Sequence, residues 1–452
     1  MKSLLYVLTI IVLVTLAACA PSSTSIPEAA TISEPTLTVI TPQEGATALP
    51  IPPTEPRVVV AFVTDGNIRL WDEATHQTQT IYASGDVRAV SMSEDGQFIA
   101  FTRHSWVGEA MEGYEQGALW AVDRDGRNPR ELVSAESLRQ YLNAGQRDST
   151  NFPQMEWVPG SHRMLFSGWK YLVQAEGESH AVPEGLFLVD AETLTENVLV
   201  PAGNHLRFMP SPDGRQIALM SLTGLSFINV EGSDLRQDVL TYPQVGQSVP
   251  LFPTGVWAQD SSAFVLTGSF ESDPSFNLNF TIWRVPVDGS TPQALAAVAK
   301  SHPGSVTFSP DGQRAAFLQS TEEQSSQIAG WSITLLNGTV SPLAIPSDLE
   351  TGYASVHWSP AGDLFTGNLR KLCPDAARDT DECDTRIHFW GNVATIHWID
   401  GNRLLFLTRD PSVLFLGKME FVESWDGTTI PIVAWPVEDS VGPKQFTAAL
   451  AR

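Results

Sequence analysis

A four-residue turn of Ser-Pro-Asp-Gly type recurs along this chain, each time between two short apolar strands. It is complete at Ser211-Pro212-Asp213-Gly214 and Ser309-Pro310-Asp311-Gly312, and weaker at Ser93-Glu94-Asp95-Gly96 and Ser359-Pro360-Ala361-Gly362. Degenerate copies start near Pro159, Gln259 and Asp400. Proline presets φ near −65°, aspartate bonds its own backbone and glycine accepts φ > 0, so the motif closes a hairpin. Just before the turns stand Met92, Trp157, Trp257, Phe308, Trp358 and Trp398, with Pro210 as the one break. Bulky apolar residues at one register of a repeat read as packing between stacked sheets rather than as ligand-stacking groups. Second strands follow at 98–102, 164–167, 217–220, 264–267, 315–318, 364–366 and 404–408. Third strands lie at 68–72, 119–123, 186–190, 225–229, 282–287 and 333–337, and most end in Asp or Asn, which open turns. The body of some 395 residues is too long for one ordinary core. A repeat architecture, in which each unit packs on its neighbours, removes that difficulty.

These repeats resemble the TolB-like, WD-like propeller family of bacterial envelope proteins, over about residues 58–435. The resemblance implies an all-β fold, a single β-propeller of four-stranded blades. It is specific for fold and says little about function, because such folds serve many. Seven turn-bearing units and a partial first one make eight blades. Seven is the alternative, because 363–395 shows no clear fourth strand. The first unit, "VVVAFVTDGNIRLWD" followed by "TQTIY", lacks its innermost strand. A strand near Gln445–Leu450 would supply it and leave no bare sheet edge.

The chain opens Met1-Lys2-Ser3, then runs uncharged from Leu4 to Ala18. That run is short of the about 20 residues that cross a bilayer and suits the apolar region of a secretory signal. It ends Leu16-Ala17-Ala18-Cys19, which resembles the signal box of bacterial lipoproteins. The resemblance implies cleavage before Cys19 and lipid on its sulfur. An uncleaved anchor is the alternative, and either places the body outside the cytoplasm. Residues 1–18 are thus expected to be a signal peptide. Residues 19–57, rich in Pro, Thr and Ser, follow as a disordered lipid-anchored tether. Residues 58–452 form the propeller.

With 27 basic against 51 acidic residues the net charge is −24. That excludes nucleic acid as a partner, which needs clustered Lys and Arg. Contact with the membrane is expected only through the lipid, since anionic headgroups repel this body. Besides Cys19 there are two cysteines, Cys373 and Cys383. In an oxidising compartment they read as a disulfide, with a metal pair as the rival.

In an up-and-down blade, turns 1–2 and 3–4 share one end, and loops 2–3 lie at the other. The former are short here and the latter long, at 104–116, 171–184, 269–280, 320–328 and 372–385. The link 134–153 is also long and carries a helix signal over Glu136–Asn143. The five loops hold fifteen acidic residues and one basic residue, so the loop end is the candidate binding face. Its residues are Glu109, Glu112, Glu115, Trp106, Tyr114, Glu176, Glu178, Glu271, Asp273, Glu322 and Glu323. A solvated surface is the competing reading. No cofactor is expected. Ca²⁺ at Asp375, Asp379, Asp381 and Asp384 is a lesser alternative, without EF-hand spacing. His357 and His397, each preceding a tryptophan, face the channel in a metal-pair reading and the interior in a structural one.

No nucleophile elbow, His-Glu-x-x-His box or P-loop occurs. The chain is therefore expected not to be an enzyme but a scaffold for a protein or peptide ligand, with a cationic ligand as the complement of its acidic loops. The alternative is a propeller enzyme, glycosidase or lyase in type, with its site at the channel mouth.

Overall fold

Strands supply almost all the regular structure, and they fall into successive antiparallel groups. The computed structural model describes residues 56–451 apart from 110–112, 146–147, 172–182, 243–252, 273–277, 302–305, 320–329, 336–339, 344–355, 367–370, 373–392, 400–402, 409–412, 419–429 and 435–445. The first group is β1 (Arg57–Thr64), β2 (Asn67–Asp72) and β3 (Gln77–Ala83). The second is β4 (Val87–Met92), β5 (Phe98–Val107), β6 (Tyr114–Asp123) and β7 (Arg130–Val133), followed by helix α1 (Ala135–Tyr141). The third is β8 (Ser149–Trp157), β9 (Arg163–Tyr171), β10 (Glu184–Asp190) and β11 (Glu196–Pro210). The long β11 ends one group and starts the next, pairing first with β10 and then with β12. The fourth group continues with β12 (Gln216–Ser221), β13 (Gly224–Asn229) and β14 (Arg236–Thr241).

The fifth group is β15 (Gly255–Trp257), β16 (Ala263–Ser272), β17 (Leu278–Pro286) and β18 (Gln293–Ser301). The sixth is β19 (Thr307–Phe308), β20 (Arg314–Gln319), β21 (Gly330–Leu335) and β22 (Val340–Leu343). The seventh shows β23 (Val356–Trp358), β24 (Leu364–Thr366) and β25 (Lys371–Leu372) among the described residues. The eighth is β26 (Val393–Trp398), β27 (Arg403–Thr408), β28 (Val413–Lys418) and β29 (Ile430–Ala434). Last comes β30 (Phe446–Ala451), which pairs antiparallel with β1, Arg57 opposite Ala451. The first group thus receives its fourth strand from the far end of the chain, where the sequence places it. Among the described residues no helix is long and apolar enough to cross a membrane.

The strand period of two sends alternate side chains to alternate neighbours. From β1, Val59, Ala61 and Val63 pack with Val90, Met92 and Phe101 of the second group. Val58, Val60 and Phe62 pack instead with Leu405, Leu407 and Leu414 of the eighth. Continuous clusters join groups two to three, three to four, four to five and five to six in the same way. Arg314 covers the Trp358 ring at 4.8 Å, linking six to seven, and Phe365 meets Trp398 at 5.4 Å, linking seven to eight. Phenylalanines on the second strands, among them Phe101, Phe166, Phe264, Phe317 and Phe406, are fully buried. Each such side chain contributes roughly 1.5–3 kcal/mol by leaving water.

The bulky residues before the turns pack as the repeat predicts: Met92, Trp257, Phe308 and Trp358 are buried. Two also reach back one group, where Trp257 Nε1 donates to Met209 O (3.0 Å) and Trp358 Nε1 to Thr307 O (3.3 Å). At the Pro210 break, Phe208 fills the interface two residues earlier.

Two expectations change in detail. The helix after β7 spans Ala135–Tyr141, capped by Ser134, one residue earlier than expected at its start. Much of the loops 104–116 and 269–280 is strand, since β5 and β6 pair out to Val107 and Tyr114, and β16 and β17 out to Ser272 and Leu278.

Candidate functional site

The Ser-Pro-Asp-Gly turns build one end of the molecule. Ser211 is fully buried, and its hydroxyl donates to Asp213 Oδ1 (2.6 Å) while accepting the backbone N–H of Gln216 (2.9 Å) and Arg215 (3.2 Å). Ser309 repeats this with Asp311 (2.5 Å) and Arg314 (2.9 Å), and Ser93 with Asp95 (2.7 Å) and Phe98 (3.0 Å). Gly96, Gly214 and Gly312 take φ of 66–68°, open to glycine at little cost. Burial pushes the Asp213 carboxyl up, but the Ser211 hydroxyl and the Arg215 backbone and charge outweigh it and hold it below the usual carboxylate range. Asp311 behaves alike with Ser309, Gln313 and Arg314.

Arginines at strand starts then tie several of the turns to the next group. Arg130 Nε donates to Ala191 O (2.7 Å), Arg163 pairs with Glu231 (2.7 Å), Arg236 donates to Val287 O, and Arg314 donates to Gly362 O. Arg403 of the eighth group donates to Glu73 Oε2 (2.9 Å) and Pro56 O (3.2 Å) of the first.

At this same end lies a cavity of about 1090 Å³, between the turns of groups two and three and the inner strands β26 and β30. Four carboxylates line it, Glu94, Asp95, Asp123 and Asp125, against one guanidinium, Arg124. Phe98 and Trp398 give it apolar surface, and His162 and His397 face it. The surrounding protein holds the His397 imidazole below its ordinary pKa by desolvation. His357, at the matching position of β23, is pushed down to about 4 by burial and is not part of the cavity lining. Among the described residues no group of three or more His, Cys, Asp or Glu could hold a metal ion.

At the opposite end the β5–β6 hairpin brings together part of the sequence-predicted face. Trp106 is 56% exposed and stands opposite Glu115 in the ladder. Glu115 Oε1 lies 2.8 Å from His104 Nδ1, and its N–H donates to Ser149 Oγ. The Tyr114 ring is covered by Arg139 of α1 at 4.8 Å, and Glu109 is exposed beyond the end of β5. Glu271 lies on β16 opposite Asn279, apart from that hairpin. Cys19, Glu112, Glu176, Glu178, Asp273, Glu322, Glu323, Cys373, Cys383, Asp375, Asp379, Asp381 and Asp384 lie outside the described residues.

Sequence reasoning missed the cavity, because its wall is assembled from turns more than 300 residues apart, Glu94 to Trp398. The clue available was the high carboxylate content of the second group's turns, Glu94, Asp95, Asp123 and Asp125.

No family model matches the chain, and no curated relative does. Solved structures do. An oligogalacturonate lyase in complex with manganese is 15% identical, with 78% of this chain and 83% of that one covered and a TM-score of 0.43. The β-propeller domain of the Trilobed protease from Pyrococcus furiosus is 13% identical over 78% of this chain and 97% of that one, TM-score 0.42. TolB from Acinetobacter baumannii is 16% identical over 80% and 77%, TM-score 0.32. Likeness at these levels says nothing of what this chain binds or does. It corrects one expectation: the chain cannot be set down as no enzyme, because a lyase and peptidases stand among the structures it is similar to. Missing sequence boxes do not decide catalysis in a fold whose sites are assembled from separate blades.

Proposed function

We propose that this chain is an eight-bladed propeller held outside the cytoplasm by lipid on Cys19, and that its cavity receives a cationic segment of a protein or peptide partner. The observation that carries the binding reading is the cavity itself, concave, partly apolar, and lined by four carboxylates against one arginine. Eight blades are supported by the eight strand groups, by β30 beside β1, and by the cluster that packs β1 against β27 and β28. The tether, the Cys373–Cys383 bond and the absence of a cofactor belong to this proposal on sequence grounds. Ca²⁺ at Asp375–Asp384 remains the lesser alternative there. A turnover reading of the same cavity, glycosidase or lyase in type, would draw on the same carboxylates.

The β5–β6 hairpin is the rival surface, and calorimetric titration with a decalysine peptide separates the two. Glu94→Gln with Asp125→Asn should weaken binding about fivefold, in keeping with partly exposed charges. Glu109→Gln with Glu112→Gln should leave it within about twofold, and the wild-type affinity should fall with salt. The reverse ranking moves the site to the hairpin. Equal effects, or no binding at low salt, overturn the cationic-ligand reading.

A further inference from the structure

His162 lies in the turn between β8 and β9 with a carboxylate on each ring nitrogen. Nε2 is 2.9 Å from Asp95 Oδ2 and Nδ1 is 2.6 Å from Glu192 Oε1. Asp95 belongs to the first turn of group two, and Glu192 to the last turn of group three. The ring meets Phe98 edge-on at 4.4 Å, and Arg130 covers Phe98 at 4.7 Å. Glu94 accepts the Gly160 N–H (3.1 Å) beside it. A neutral imidazole has one N–H and one lone pair, so it can donate to only one of the two carboxylates. Only the imidazolium donates to both.

We propose that His162 is a proton-operated staple between groups two and three on the cavity wall: protonated it holds Asp95 and Glu192 together, and on losing the proton it releases one of them. The surroundings favour the charged ring. Asp95 and Glu192 press on it directly, Glu94 sits on the nearby Gly160 N–H, and Asp123, Asp125 and Arg124 line the same cavity, with Arg130 over Phe98. Burial works against the imidazolium, but bonding to Asp95 and Glu192 outweighs it and raises the pKa above the ordinary value. Asp95 answers in kind, its burial outweighed by His162 and Ser93, and is held below the usual range. A pKa raised on folding gives stability that is complete below the unfolded value of about 6.5 and is lost as pH climbs through the folded one. Deprotonation also removes a positive charge from the cavity wall. That a cationic ligand then binds more tightly rests on the binding reading above.

The test needs no ligand. In the full chain, the His162 ring is titrated by NMR, and thermal unfolding midpoints of wild type and His162→Gln are compared from about pH 5.5 to 8.5. The staple predicts a His162 midpoint above about 6.5, and a wild-type advantage that shrinks as pH rises. Glu192→Gln, at an exposed side chain, should lower the His162 midpoint, and it carries the test should His162→Gln fail to fold. A midpoint at or below the ordinary value, one unmoved by Glu192→Gln, or an advantage constant with pH overturns the staple. Failure here leaves the decalysine result standing, and failure there leaves this one.

Discussion

At the cavity end of the propeller, short turns are pinned by buried hydroxyls and by arginines that reach from one group into the next. At the opposite end, the β5–β6 ladder reaches out to Val107 and Tyr114 and presents Trp106, more than half exposed. The sequence marks the second end as the elaborated one; among the described residues, the buried turn hydroxyls and the linking arginines stand at the first. Short turns there carry a polar network of their own. A short turn whose every donor and acceptor is paired can shape a concave wall, because paired polar groups in low dielectric hold one geometry. The described part of the β5–β6 hairpin is held instead by its strand ladder and by the His104–Glu115 and Glu115–Ser149 bonds.

Substitutions can break this contrast, and the largest effect belongs to the pinned end. Ser211→Ala removes one acceptor for two backbone N–H groups and one donor to Asp213, and should cost about 2–3 kcal/mol in urea unfolding. Arg403→Met is next. It leaves Glu73, a largely buried carboxylate that also accepts the Val58 N–H, without its guanidinium, and should cost about 1–2 kcal/mol. Trp106→Ala at the free end should stay within about 0.5 kcal/mol. A Trp106 variant as damaging as the Ser211 one would mean that the hairpin end is structural too, and the contrast would fail. Ser211→Ala near zero would mean that the turns are held by Pro and Gly conformation alone.

How far the sequence was readable follows from the same contrast. Pro, Asp and Gly announce a turn through their own backbone preferences, so the turns, the strands beside them and a C-terminal strand near 445–450 beside the first group could be read directly. Ser211 and Ser309 stand in the same motif, but their importance comes from burial, which no local preference reveals. The linking arginines stand at two recurrent positions, Arg130 and Arg236 seven residues after Asp123 and Asn229, and Arg163, Arg314 and Arg403 at the start of a second strand, but their acceptors sit on another group. They become legible only when neighbours are superposed in space. The cavity belongs to that kind. So does the extension of β5 and β6, where polar residues such as His104 and Glu115 sit in the ladder. An alternation rule that expects one apolar face does not find them.

The partnership of β1 with β30 carries a consequence in time. The two strands are made almost 400 residues apart, which at about 5–20 residues per second is a delay of about 20–80 seconds. Throughout it, the edge of β1 that will meet β30 has no partner. Such an edge invites pairing with other chains. It also offers extended backbone to proteases, which act on transiently opened chain. A chain halted before residue 446 never covers it. Arrival of β30 therefore ends a period of vulnerability, and the surviving population should be enriched in chains that were finished.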